Sequence, residues 1–186
     1  MSTAIPRFEF DQLSSRLQDI LRPRVERLGY LGEFFKCAGN QPDILAPVME
    51  MTEALKKALP DRLTELGALT VATIMANEYE RNQHERLSRK LGFGEAWISA
   101  VERISPDLAI ELEDNERAVQ RLIIAVLGRN GLGVQSELDT VIDLIGPAAA
   151  VAVMFLVGRY VTHALIVNGL SLNPPVPSIF TEEQRL

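Results

Sequence analysis

The residues best suited to chemistry lie in two neighbouring stretches, Pro60-Asp61-Arg62-Leu63-Thr64-Glu65 and Asn77-Glu78-Tyr79-Glu80-Arg81-Asn82-Gln83-His84. Histidine titrates near neutrality, so a carboxylate held against His84 makes a proton-transfer pair. Glu65 and Glu80 are the two candidates. Glu80 and His84 are four residues apart and share one helical face. Glu65 lies 19 residues before His84, a separation of roughly 28 Å along one straight helix. The two can meet only if the chain reverses.

Asn77 offers the reversal. An asparagine N-cap followed by Glu80 at the third helical position is a variant capping box, so a new helix is expected to start there. Its first N–H groups would then lie beside the Glu80–His84 face and favour negative charge. Tyr79, Arg81 and Asn77 are the candidate substrate contacts, and Arg62 or Arg81 could hold a carboxylate. The plain structural alternative makes Glu80 a capping residue, Glu65 a solvated one and His84 a satisfied core or interface histidine.

Around this stretch the spacing of apolar residues is three and four rather than two, which predicts an all-α chain. Phe10, Leu13, Leu17 and Ile20 form a stripe that Pro23 should interrupt, and Leu31, Phe34 and Phe35 suit a short helix. Pro47 is placed in the first turn of a helix bearing Val48, Met51, Leu55 and Leu59, and Pro60 opens the helix of Glu65. From Asn77 the pattern runs to a C-terminal cap at Gly92. Further helices are expected over Glu95 to Ile104, around Val119 to Leu127, from an N-cap at Ser136 to Ile145, and from Pro147 to Asn168-Gly169. Asn173-Pro174-Pro175 should leave the tail, 170–186, extended.

A length of 186 residues, 47% hydrophobic and 24% charged, suits one domain over 1–186 with an ordinary core. The motif-bearing part spans about 44–101 and a C-terminal helical half about 110–169. Nineteen basic against 25 acidic residues give a net charge of −6. No basic cluster or recognition helix marks a nucleic-acid partner, which sets aside a helix-turn-helix regulator. The apolar run from Leu144 to Gly158 contains Gly146 and Pro147 and falls short of a membrane span. With no export signal, a cytoplasmic protein without membrane partners is expected. Cys37 is the single cysteine, so no thiol pair can work within one chain. It reads as a small packed residue.

His163, near Arg159 and Tyr160 on the apolar last helix, reads as a core or interface residue. With His84 in different surroundings, the chain's two histidines make a bundle-type metal site unexpected, and neither a metal nor a cofactor is called for. A helix apolar on most faces must be covered all round, by its own bundle or by a second subunit.

Leu59-Pro60-x-Arg62-x-x-Glu65-Leu66, followed by Tyr79-Glu80-x-x-x-His84 and Gly92, resembles the carboxymuconolactone decarboxylase and alkylhydroperoxidase D-like superfamily. The match is strongest from Ile44 to Val101, and the Gly146 to Asn168 helix is similar to the family's second half. The resemblance implies an oligomeric multi-helix bundle, with a homotrimer or hexamer favoured. In peroxidase members a glutamate, a Cys-x-x-Cys pair and a histidine form a proton relay. Glu65 and His84 match its ends, but the cysteine positions fall on Asn77 and Glu80, which cannot form a disulfide. The resemblance therefore points to a non-thiol lyase, decarboxylating or otherwise moving a proton on a small organic acid. The alternatives are alkylhydroperoxidase-like redox chemistry and a non-catalytic scaffold or small-molecule binding protein.

Overall fold

The computed structural model describes residues 4–182, and among them helices and turns account for every regular element. The chain divides into two compact units, residues 1–54 and 55–186. In the first, a 3-10 turn at Phe10–Gln12 precedes α1 (Ser15–Leu28), α2 (Glu33–Ala38) and most of α3 (Pro42–Ala58). The unit boundary falls within α3.

Two expectations fail in the first unit, and for one reason. Pro23 lies inside α1 and Pro47 inside α3, whose first residue is Pro42. A mid-helix proline removes one hydrogen bond and crowds the preceding turn. Both prolines are exposed here, while Leu17 and Leu21 on α1, and Leu45, Ala46 and Met49 on α3, are buried. Side-chain burial keeps each helix continuous through its proline. Cys37, on α2, is buried and unbridged.

The second unit holds α4 (Asp61–Ile74), α5 (Glu78–Lys90), α6 (Glu95–Glu102), a 3-10 turn at Pro106–Leu108, α7 (Asp114–Gly128), α8 (Gln135–Ile145), α9 (Pro147–Gly169) and the one-turn α10 (Ile179–Glu182). Helix α4 is central: every residue from Leu63 to Ala72 is buried, and α5, α6, α7 and α9 all pack on it. Gly67 permits the α9 contact, since a Cβ there would stand 2.4 Å from Leu156 Cδ2. Backbone proximity brings the polar residues of α9 within side-chain reach of α5.

The reversal between α4 and α5 occurs where Asn77 predicts it. Met75 caps α4 at its C-terminus, and Ala76 adopts a left-handed φ of 51°. The Asn77 N–H then bonds back to the Ala72 carbonyl, a Schellman-like closure. Asn77 Oδ1 in turn accepts the N–H of Glu80 at 3.2 Å. Gly92, at φ 83°, closes α5 as expected.

At the C-terminal end the structure differs from expectation in two ways. Helix α8 starts at Gln135 with Val134 at its N-cap, so Ser136 lies inside the first turn. The tail is extended only as far as Ser178 before α10 begins; the expected extension over 183–186 lies outside the described residues. The tail docks on α5, where Val176 O accepts from Asn82, Pro177 O from Arg86, and the Ile179 N–H donates to Glu85. Helix α9 is long and apolar enough to cross a membrane by length and composition, although 56% of its most apolar window is buried. It therefore exceeds the span read from the sequence, and its buried face carries Arg159, Tyr160 and His163.

Candidate active site

Helices α4, α5 and α9 each place ionisable side chains in one cluster. Glu65 sits on the buried face of α4, one turn inside its Pro60 N-cap. On α5 the four-residue spacing puts Glu80 and His84 on one face, as anticipated. The antiparallel packing of α4 and α5 then sets His84 Nδ1 at 2.7 Å from Glu65 Oε2. His84 Nε2 lies 3.0 Å from Glu80 Oε2 and 3.1 Å from Tyr160 Oη. Ser88, one turn beyond His84, adds a longer hydrogen bond to the same Glu65 oxygen at 3.4 Å.

Both ring nitrogens of His84 thus face carboxylates with little water present: side-chain exposure is 12% for His84, 5% for Glu65 and 8% for Glu80. Burial alone would lower the histidine pKa. The charges and hydrogen bonds of Glu65 and Glu80 outweigh it and raise the pKa to about 9. His84 is therefore an imidazolium at neutral pH. Its Nδ1–H donates to Glu65, and its Nε2–H is shared between Glu80 and Tyr160.

Glu80 is the hub of the cluster. Its Oε1 accepts from His163 Nε2 at 3.0 Å, while Oε2 faces His84 and, at 3.7 Å, Arg159 Nη1. Burial would push this carboxyl upward, but His163, His84 and Arg159 hold it well below the usual carboxylate range. The Arg159 guanidinium lies over the Tyr160 ring, 4.2 Å from its centroid, and so fixes the ring that contacts His84. The capping box read from the sequence is only half formed. Asn77 caps Glu80, but the Glu80 carboxylate turns inward to the two histidines instead of back to the Asn77 N–H, which the Ala72 carbonyl already takes.

Of the other candidate residues, Asn77 is buried as the cap of α5, and the Tyr79 ring packs 6.0 Å from His163. Arg81 points elsewhere, toward Glu78 and Glu85, each at 3.5 Å. Arg62 is also committed: it donates to both oxygens of Glu116 on α7, at 2.7 and 3.1 Å, and lies over Phe93 and Trp97. Trp97 Nε1 donates to the same carboxylate. Arg62 thus fastens α4 to α6 and α7, and the arginine inside the cluster is Arg159.

His163 is buried and hydrogen-bonded, as a core residue of the last helix should be. The two histidines do not occupy different surroundings: they bind opposite oxygens of one carboxylate. Contacts 76 residues apart, such as Tyr160 to His84, leave no local trace in sequence. One signal was present, however, since Arg159, Tyr160 and His163 gather polar groups on one side of an otherwise apolar helix. Among the described residues no group of three or more metal-ligating side chains is arranged to hold an ion. An open groove of about 640 Å³, lined in part by Pro106, Arg121, Arg129 and Glu137, includes no member of the cluster. Its arginines are paired with Asp107 and Glu137.

The sequence matches no protein-family model and no curated protein. Solved structures do match. A cysteine-to-alanine variant of the debrominase Bmp8, in complex with 2,3,4-tribromopyrrole, is similar with a TM-score of 0.82 at 12% identity, over 99% of this chain and 98% of its own. The AhpD core of a peroxidase-related protein from Ralstonia eutropha gives 0.77 at 13% identity, over 93% and 94%. A protein from Agrobacterium tumefaciens, described in terms of antioxidant defence and AhpD, gives 0.68 at 21% identity, over 75% and 96%. The chain has the all-helical AhpD-like fold.

Proposed function

We propose that the His84 cluster is the active centre of a non-thiol enzyme that moves a proton on a small organic acid, by decarboxylation or a related reaction. One observation carries the reading: a single imidazolium is gripped by carboxylates at both nitrogens, Glu65 from α4 and Glu80 from its own helix α5, with the Tyr160 hydroxyl of α9 beside Nε2, while keeping 12% of its side chain exposed. His84 is the proton donor, and Glu65 at Nδ1 fixes its ring and compensates the charge. Glu80 and Tyr160 flank the reacting nitrogen Nε2. Arg159 is the nearest cation suited to a substrate carboxylate.

Thiol chemistry within one chain lacks its second sulfur, because Cys37 is the single cysteine and lies on α2. Bmp8, with the same fold, holds a small halogenated pyrrole, which supports a compact planar substrate. A second copy of the chain is the proposed partner, as a trimer or hexamer. Val151, Phe155 and Leu165 are 56, 60 and 61% exposed and align on the outer side of α9. Light scattering tests this directly, and a concentration-independent monomer would refute it.

The chemical test uses an unsaturated lactone carboxylic acid in deuterated buffer, followed by NMR for carbon dioxide loss and deuterium incorporation. Turnover by wild type should fall about 10²- to 10⁴-fold in His84→Gln, and nearly as far in Glu65→Gln. Both variants must first assemble like wild type. Undiminished turnover in folded His84→Gln would refute the mechanism.

A further inference from the structure

Both histidines of the chain belong to one connected set, and the acid–base reading gives work to only one of them. His163 Nε2 donates to Glu80 Oε1 at 3.0 Å, and the other oxygen of that carboxylate receives His84 Nε2 at the same distance. His163 is buried, with 4% of its side chain exposed, behind the more accessible His84 at 12%. The charged and titratable groups around the pair are Glu65 from α4, Tyr79 and Glu80 from α5, and Arg159 and Tyr160 from α9.

Resting on the function proposed above, we infer that His163 is a positioning residue that acts through Glu80, so that the two imidazoles and their shared carboxylate hold and replace protons as one unit. In this unit His163 enters the cycle as an imidazolium: once His84 has released its Nε2 proton to a substrate, the proton on His163 Nε2 passes to Glu80 Oε1 and the one on Nδ1 stays. A half-turn of the carboxyl about Cγ–Cδ carries it to the vacated Nε2 of His84. No bond other than N–H and O–H changes, and Glu80 ends as the carboxylate it was. His163 is left neutral and regains its proton from water when the cluster next opens. The arrangement gives a role to a carboxylate that is turned inward between the two histidine rings.

Two imidazoles sharing a carboxylate lose protons in steps that belong to the pair rather than to either ring. Carbon–proton NMR of protein labelled at histidine Cε1 should show two signals from the folded chain, assigned by deleting one histidine at a time. In wild type, each titration curve should bear an inflection from the other. Glu80→Gln should separate the curves and lower the His84 midpoint by about one pH unit or more. Glutamine at 163 still presents an N–H donor but carries no transferable proton. His163→Gln should therefore preserve the thermal midpoint while raising the His84 midpoint by about half a unit, through loss of a neighbouring positive charge.

An unchanged His84 curve in folded His163→Gln would overturn the inference. Two simple, independent curves in wild type would overturn it equally. Either result leaves the acid–base reading of His84 standing, because turnover by His84→Gln and Glu65→Gln tests that separately. If His163→Gln fails to fold, the wild-type and Glu80→Gln curves still decide between coupled and independent rings.

Discussion

Raising the pH should withdraw stability from this fold, in part through the proton held by His84. His84 has an ordinary value of 6.5 and is raised to about 9 in the native state. Between these values the native protein holds a proton that the unfolded chain has released, so stability falls as pH rises. Each pH unit costs at most 1.36 kcal/mol, which over this interval comes to about 3 kcal/mol. The contribution is complete below pH 6.5 and gone above 9. Denaturant unfolding followed by circular dichroism at half-unit steps from pH 6 to 9.5 measures it.

A second group slopes the same way. Burial and the neighbouring Glu85 raise Glu102 to about 8, against a partial lowering by Arg81, so its native proton also favours folding at acid pH. Measuring in a Glu102→Gln background removes that contribution and leaves the His84 loss in view. Adding His84→Gln to that background should then reduce the slope between pH 6.5 and 9. An equal slope with and without His84 would show that the cluster does not hold this proton.

Four further outcomes are expected. Glu80, held well below the usual carboxylate range by His163, His84 and Arg159 against the opposing effect of burial, contributes stability that is present above about pH 4.5. That stability should drain away in acid and be missing from Glu80→Gln in the same unfolding series. Ala76→Gly should stabilise the protein by about 1 kcal/mol in thermal or denaturant melts, since glycine relieves the cost of a left-handed φ. Glu116→Gln should cost about 3 kcal/mol, because it leaves Arg62 without its counter-charge across three helices, yet the NMR titration of His84 should not move. Cys37→Ala should leave any turnover unchanged, whereas activity lost on this change alone would restore a thiol mechanism.

The hairpin of α4 and α5 was legible because its determinants are local. Pro60, Asn77 and Gly92 mark ends by their own backbone preferences, and the four-residue step from Glu80 to His84 needs nothing beyond helical geometry. Glu65 could be added because antiparallel packing is the simplest way to bring two helices on either side of a break together. Pro23 and Pro47 misled for the opposite reason: their local penalty is real but is outweighed by leucines buried elsewhere on the same helices, which no window around the proline reveals. Arg62 could not be placed from sequence for a similar reason, since its partner Glu116 lies 54 residues away.

The missing part of the site comes wholly from α9, and the reason is physical rather than statistical. An apolar helix buried on one side presents no amphipathic pattern from which to choose its inward face, so its few polar residues can be assigned to core, interface or site with equal ease. Gly67 resolves the choice, because the bare α-carbon on α4 receives Leu156 and fixes which side of α9 faces α4. Residues 159, 160 and 163 follow Leu156 by three, four and seven positions and therefore lie near its face. A substitution at Gly67 that pushes α9 outward should thus detach Tyr160 and His163 from α5 while leaving the contact between Glu65 and His84 in place. Gly67→Val is the suitable change: the His84 signal should keep a raised midpoint through Glu65 but lose its coupling to His163. If both rings still titrate as a pair in Gly67→Val, the close approach of α4 and α9 is not what assembles the cluster.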